Sequence, residues 1–198
     1  LESDLTQKIG FFGGSFDPIH HGHLNLAVEM LERHKLDGVY FCPTSQSPHK
    51  KDKPPVANKD QRRAMVTAAI SPFPKFTLLD SELQNHDYCY TIDTLRTLVG
   101  QGKNDYFLII GEDSVAKLHT WKEIDELLKL APPLIASRST DKPFKTPLLA
   151  KIQKGITKMP LFDISSTEVR SRLHKKLTCA HLVPAKVWDY IQQHKLYE

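Results

Sequence analysis

Cysteine is scarce in this chain, with three among 198 residues, at Cys42, Cys89 and Cys179, odd in number and far apart. No pair has the spacing of a zinc knuckle or a redox CxxC, which speaks against a disulfide framework, a thiolate metal site and a dithiol centre. The expected compartment is a reducing cytoplasm. Long apolar runs are missing as well: none approaches the roughly 18–20 residues that span a bilayer. The start, Leu1–Lys8, lacks the basic-then-apolar layout of a signal peptide. The expectation is a protein with no membrane contact.

Charge of one sign is weak. A formal net charge of +4 suits an anionic small ligand without requiring a nucleic-acid partner. Basic and aromatic residues are not interleaved as on a nucleic-acid surface, so none is expected. The chain has no internal repeat, no Gly-Lys-Ser/Thr phosphate loop and no Gly-x-Gly-x-x-Gly dinucleotide pattern. At this length one domain, 1–198, is expected, with a helical C-terminal part from about 164 to 198.

Short apolar runs alternate with helical-period stretches. Ile9–Phe12, then Leu24, Ala27, Val28 and Leu31, then Val39–Cys42 form a strand–helix–strand unit. Further strands are expected at Phe76–Leu79, Tyr106–Ile110, Leu134–Ala136 and Met159–Phe162, with helices at Asp60–Ile70, Thr91–Val99 and Lys122–Leu130. Continuous apolar strands separated by helices imply a parallel sheet covered on both faces, an α/β doubly wound fold. Ligands in such folds bind beyond the carboxyl ends of the strands, which directs attention to the loops after residues 12, 42 and 110. The second of these, Pro43–Lys59, carries four prolines and a set of lysines and reads as a basic loop.

The first strand runs into Gly13-Gly14-Ser15-Phe16-Asp17-Pro18-Ile19-His20-His21-Gly22-His23-Leu24, with a helix beginning around Gly22. Paired glycines let the backbone approach a phosphate closely, and the helix start behind them offers free N–H groups and the positive end of a dipole. His20 and His23, three apart, can point at one small volume and donate to phosphate oxygens. No metal site is expected, because these histidines have no nearby cysteine, only Asp17 as a carboxylate, and not the helical His-x-x-x-His spacing. Near the other end, Ser165 and Glu168 make a capping box within Ile164-Ser165-Ser166-Thr167-Glu168-Val169-Arg170. The same segment, three hydroxyls at a helix start and an arginine one turn in, also makes a pyrophosphate clamp.

His20-His21-Gly22-His23 resembles the signature of the nucleotidyltransferases related to class I aminoacyl-tRNA synthetases, whose His-x-Gly-His element holds ATP for attack at its α-phosphate. The preceding Gly13–Ile19 is similar to the version in nicotinate and nicotinamide mononucleotide adenylyltransferases, and Ile164–Arg170 to their Ile-Ser-Ser-Thr-x-Ile-Arg element. From about Ile9 to Tyr197 the chain resembles the bacterial nicotinate mononucleotide enzymes, through Ser47-Pro48-His49-Lys50, Tyr90-Thr91-x-x-Thr94-Leu95, Ile109–Asp113 and Thr120-Trp121.

The resemblance implies a Rossmann-like sheet, catalytic roles for His20 and His23, and ATP contacts from Gly13, Gly14, Ser15, Phe16, Lys50, Gly111, Asp113, Ile164, Ser165, Ser166 and Arg170. It implies that Thr91, Trp121 and Lys122 meet the pyridine substrate, that the partners are ATP and nicotinic acid mononucleotide, and that Mg2+ arrives on ATP. Two positions depart from the family pattern: Lys122, where an aromatic is usual, and Arg138-Ser139-Thr140, where a basic pair precedes proline. Open alternatives are adenylylation of nicotinamide mononucleotide or of phosphopantetheine on the same fold, and a catalytically silent nucleotide-binding regulator.

Overall fold

The structure is a computed structural model that describes residues 6–48, 52–85, 87–102, 104–137 and 144–198. Lys50, with its neighbours His49 and Lys51, and the Arg138-Ser139-Thr140 run lie outside the described residues. Six parallel strands form one sheet in the order β3-β2-β1-β4-β5-β6. They are β1 (Gln7–Gly14), β2 (Gly38–Pro43), β3 (Phe76–Leu78), β4 (Asn104–Gly111), β5 (Pro133–Ser137) and β6 (Ile156–Lys158). The longer helices are α1 (His21–Arg33), α2 (Lys59–Ile70), α3 (Thr91–Gly100), α5 (Ile124–Leu130), α7 (Ser166–His174) and α8 (Ala185–Gln193), with one-turn helices α4 (Glu112–Val115) and α6 (Leu149–Ile152). This is the doubly wound α/β architecture that the apolar strands imply. Its strand order reverses between β1 and β4.

The chain groups into two compact units, one from Leu1–Gly13, Leu26–Tyr40 and Tyr90–Leu161, the other from Gly14–Asn25, Phe41–Cys89 and Phe162–Glu198. In the first, β1 pairs with β4, β4 with β5 and β5 with β6, all parallel. β5 is buried at every residue and β1 from Ile9 to Phe12, because crossover helices cover both faces. α3 contributes Ile92, Leu95 and Leu98, one stripe at helical spacing. In the second unit α2 packs on α8: Met65, Val66, Ala69 and Ile70 of the former are buried, as are Val187 and Ile191 of the latter. A full capping box opens α2, with Gln61 N–H donating to Asn58 Oδ1 and Asn58 N–H to Gln61 Oε1, both at 2.9 Å.

The last strand is Ile156–Lys158, earlier than the expected Met159–Phe162. Pairing with β5 fixes it, through Ile135 with Ile156 and Ser137 with Lys158. Pro160 has no N–H to extend the ladder, and Phe162 is 51% exposed, so the apolar run there marks only the burial of Met159. α5 likewise starts at Ile124 and not at Lys122, because Glu123 is in the left-handed region at φ 49°. Among the described residues no helix is long and apolar enough to cross a membrane.

A Cβ added at Gly155 would lie 1.8 Å from the Pro133 carbonyl oxygen, so the backbones of β5 and the turn before β6 touch where only glycine fits. Gly100, the last residue of α3, has open space around it. Gly155→Ala should therefore lower stability by at least about 2 kcal/mol, while Gly100→Ala should leave it equal or raise it by about 0.5 kcal/mol. Urea midpoints of the two variants check this, and equal midpoints would refute the close approach.

Candidate active site

The segment linking β1 to α1 is packed inside the second unit: Phe16, Asp17, Ile19 and His20 are all buried. Phe16 adopts the left-handed conformation, φ 47°, which side chains rarely take. That turn brings its ring under Gly14, where an added Cβ would lie 3.1 Å from it, and edge-on to His23 with centroids 5.0 Å apart. The His20 and His23 rings stack at 3.6 Å with 23° between their planes. Gly22 leaves room for this, since a Cβ there would come 3.0 Å from His20 Nδ1. The His20 N–H donates to His23 Nδ1 at 3.2 Å, so a neutral His23 ring carries its proton on Nε2.

Burial, with a smaller push from His21, lowers the His20 pKa to about 4. Its ring is neutral at pH 7, and its Nδ1 is buried with no hydrogen-bond partner among the described residues. An unpartnered buried nitrogen costs roughly 1–3 kcal/mol, a sacrifice typical of a group kept for ligand chemistry. Positive potential comes instead from the start of α1, whose first turn holds no acid.

The C-terminal element fastens onto the same segment. Ser165 caps α7 by accepting from Glu168 N–H at 3.1 Å. Ser166 Oγ donates to the Pro18 carbonyl at 2.9 Å, and Arg170 Nη1 to the Asp17 carbonyl at 2.6 Å. The Ile164 carbonyl faces Gly22, 3.6 Å from where a Cβ would be. The histidine motif and the Ile164–Arg170 element, far apart in sequence, are thus one cluster.

Asp17 is the anchor of that cluster and was not legible as such in the sequence. Its Oδ1 accepts from Ala57 N–H at 3.0 Å and Tyr197 O–H at 2.9 Å, its Oδ2 from Val56 N–H at 2.8 Å, and Arg170 Nη1 lies 3.6 Å from Oδ2. Burial and the neighbouring Asp17 carboxylate push the Tyr197 phenol pKa up, so it stays protonated as a donor. Arg62, 1% exposed, is a further unforeseen member, as is Tyr197. The Arg62 signal was present: a charged residue at a position of α2 that the helical period assigns to the core with Met65, Val66 and Ala69.

Of the remaining sequence-derived residues, Ser15 lies in the second unit, its carbonyl accepting from Arg62 Nη1 at 2.8 Å, and the other described ones lie in the first. Gly13 sits on β1, and Gly111 ends β4 ahead of α4, where Asp113 is exposed and Glu112 accepts from Ser137 Oγ at 3.1 Å. A Cβ at Gly111 would meet only Leu26, at 3.8 Å. Thr91 is the first residue of α3, with Tyr90 as its cap, and Trp121 is half-buried. Lys122 is exposed, yet its Nζ bonds both oxygens of Asp93, at 2.9 and 3.1 Å, and stands 4.7 Å over the Tyr90 ring. The Asp93 hydrogen bond raises the lysine pKa. Among the described residues no three His, Cys, Asp or Glu side chains converge as a metal site.

The cytidylyltransferase-like family profile matches residues 11–172. The chain is 38% identical to a protein of Methylacidiphilum infernorum (isolate V4), over 100% of this chain and 95% of that one. It is 35% identical to one of Oceanobacillus iheyensis, over 96% and 97%. Both are named as probable nicotinate-nucleotide adenylyltransferases. Among solved structures it resembles the Plasmodium falciparum nicotinic acid mononucleotide adenylyltransferase complexed with NaAD, with a TM-score of 0.76 over 96% of this chain and 97% of that one. At 22% identity that likeness speaks to the fold.

The buried neutral His20 has a measurable consequence. Between pH 6.5 and about 4 the unfolded chain binds a proton at this ring that the folded chain does not, so the contribution is full above pH 6.5 and is lost as pH falls toward 4. His20→Gln should remove roughly 2–3 kcal/mol of the acid-induced destabilisation by pH 4.5. Urea unfolding of both proteins at pH 7 and pH 4.5 measures it. Equal acid sensitivity would mean that His20 titrates normally.

Proposed function

We infer that this chain, which belongs to the cytidylyltransferase-like family and within it to the nicotinate-nucleotide adenylyltransferases, transfers the adenylyl group of ATP to nicotinic acid mononucleotide. The products are nicotinic acid adenine dinucleotide and pyrophosphate, a step of NAD biosynthesis. The observation that carries the chemistry is the stacked His20–His23 pair at the start of α1, with the Ser166–Arg170 end of α7 tied to the same backbone.

Adenylyl transfer asks for positioning and charge stabilisation more than for covalent help. The acceptor's phosphate oxygen attacks the α-phosphorus of ATP, a new O–P bond forms, and the bond to the bridging oxygen breaks with its electron pair leaving on pyrophosphate. The attacking phosphate is already an anion, so no general base is needed. His23 would donate from Nε2 to an α-phosphate oxygen. His20 would take its share of developing negative charge, which also restores the proton affinity that burial removes. The start of α1 adds its dipole. Arg170 has Nη1 committed to Asp17, and its Nη2, which donates to Thr167 Oγ1 at 3.4 Å, would turn its side of the fork to the pyrophosphate. Gly13, Gly14, Ser15 and Phe16 would pass closest to the phosphates, and Lys50 would approach them from the basic loop. Magnesium belongs to this reading as part of the ATP substrate, since Mg2+ is commonly held by substrate phosphates with few protein ligands.

Gly111 and Asp113 are assigned to the nucleotide ribose. Nothing in the fold demands glycine at 111, and close approach of a ligand supplies the reason. Thr91, Trp121 and backbone N–H groups beside them are assigned to the pyridine ring and its carboxylate. Lys122 contributes little net charge there, because Asp93 already matches it. Donors facing a carboxylate reject the amide, whose NH2 would meet other donors, at a cost of roughly 1–3 kcal/mol.

Pyrophosphate release with ATP and each acceptor tests the assignment. Nicotinic acid mononucleotide should be used at least about tenfold better than nicotinamide mononucleotide, and phosphopantetheine should not be used. The preference should survive Lys122→Ala. Equal efficiencies for the two mononucleotides would remove the substrate assignment. His20→Ala and His23→Ala should each lower kcat by roughly 10²–10³ with a smaller effect on ATP affinity, and a variant with normal turnover would make that histidine structural.

A further inference from the structure

Arg62 is buried within the second unit, and its partners are four backbone carbonyls: Nε donates to Ala57 at 3.3 Å, Nη1 to Ser15 at 2.8 Å and Thr44 at 2.6 Å, and Nη2 to Ser45 at 3.2 Å. These oxygens come from three stretches of chain: the segment after β1, the segment after β2, and the approach to α2. A buried guanidinium is costly, and burial lowers its pKa, with the Asp17 carboxylate holding against that shift. Packing alone would be served by methionine or leucine at this position of α2, and such replacements of buried charges are often neutral for stability. A planar fork does what those residues cannot, which is to fix several carbonyls at set angles to one another.

The carbonyls that it fixes lead to the chemistry. The Thr44 peptide is held on both sides, its N–H donating to the Gly14 carbonyl at 2.9 Å and its carbonyl accepting from Arg62. Ala57 is held in the same way, its N–H on Asp17 Oδ1 and its carbonyl on Arg62. Gly14, Ser15 and Asp17 are therefore all tied to one cluster, and between them Phe16 carries the ring on which His23 packs. We propose that Arg62 is a positioning residue for triphosphate binding: its guanidinium sets the backbone of Gly14–Asp17, and through it the phosphate-facing turn and the histidine pair. This rests on the adenylyl-transfer reading for the identity of the ligand, and on the hydrogen bonds for the role.

The test compares Arg62→Lys, Arg62→Met and the wild type, with folding checked by circular dichroism and each protein held well below its own Tm. The Kd of α,β-methylene ATP is measured by calorimetry. An ammonium gathers its three donors at one point and a thioether has none, so neither reproduces the four bonds of the planar fork, and the Kd should rise at least fivefold in both variants. In Arg62→Ala, added guanidinium should recover part of the affinity while sodium chloride at the same ionic strength does not. A Kd within twofold of wild type in folded Arg62→Met would overturn the proposal and leave Arg62 a structural residue. Wild-type pyrophosphate release with ATP and nicotinic acid mononucleotide is followed in parallel. Its absence would remove the transfer reaction, while the binding comparison still decides the role of Arg62.

Discussion

A carboxylate taken out of water must be met by donors, and the Asp17 side chain is met by Val56 N–H, Ala57 N–H and Tyr197 O–H, with the Arg170 guanidinium beside it. The Val56 and Ala57 donors share one stretch of chain and Tyr197 lies on another, so satisfying this one group brings the approach to α2 and the C-terminal end of the chain onto the turn after β1. Arg170 completes the arrangement by binding the carbonyl of the same residue. Because bonds to a buried charge are both short and costly to break, the turn that carries Phe16, His20 and His23 has one geometry.

That constraint explains the character of the site. Burial leaves His20 neutral, and in the proposed mechanism the histidine pair would offer hydrogen-bond donors and latent proton affinity where fixed cations would bind ground-state ATP and transition state alike. Standing positive potential comes from the α1 start and from arginines whose orientation is already set by backbone carbonyls. Little reorganisation is left for the moment of reaction, which is the condition under which electrostatic stabilisation is most effective.

How much of this was legible in the sequence follows the range of the interactions. Strand and helix positions came from local periodicity, and the α7 start from Ser165 and Glu168, which bond across one helical turn. The two histidines were legible as a candidate pair because they stand three positions apart at a helix start, with His21 and Gly22 between them. Where an apolar run contradicted pairing, at Met159–Phe162, the ladder with β5 and the missing N–H of Pro160 prevailed. Tyr197 carried no signal at all, since its partner Asp17 is 180 residues away. Arg62 carried one, a charge in an apolar stripe, which acquires meaning only once the carbonyls around it are known. Lys122 stood out as a departure from the family pattern, and its answer lay in Asp93 and Tyr90, brought to it by the packing of α3.

In adenylyl transfer the AMP half of ATP is what moves. The fate of a label tests it: ATP carrying radioactive phosphorus at either the α or the γ position is incubated with the protein, magnesium and nicotinic acid mononucleotide, and the products are separated. The α label should appear in the dinucleotide and the γ label only in pyrophosphate. A γ label found on the mononucleotide would mean phosphoryl transfer, and a site built for attack at the α-phosphorus would be the wrong description of His20, His23 and Arg170.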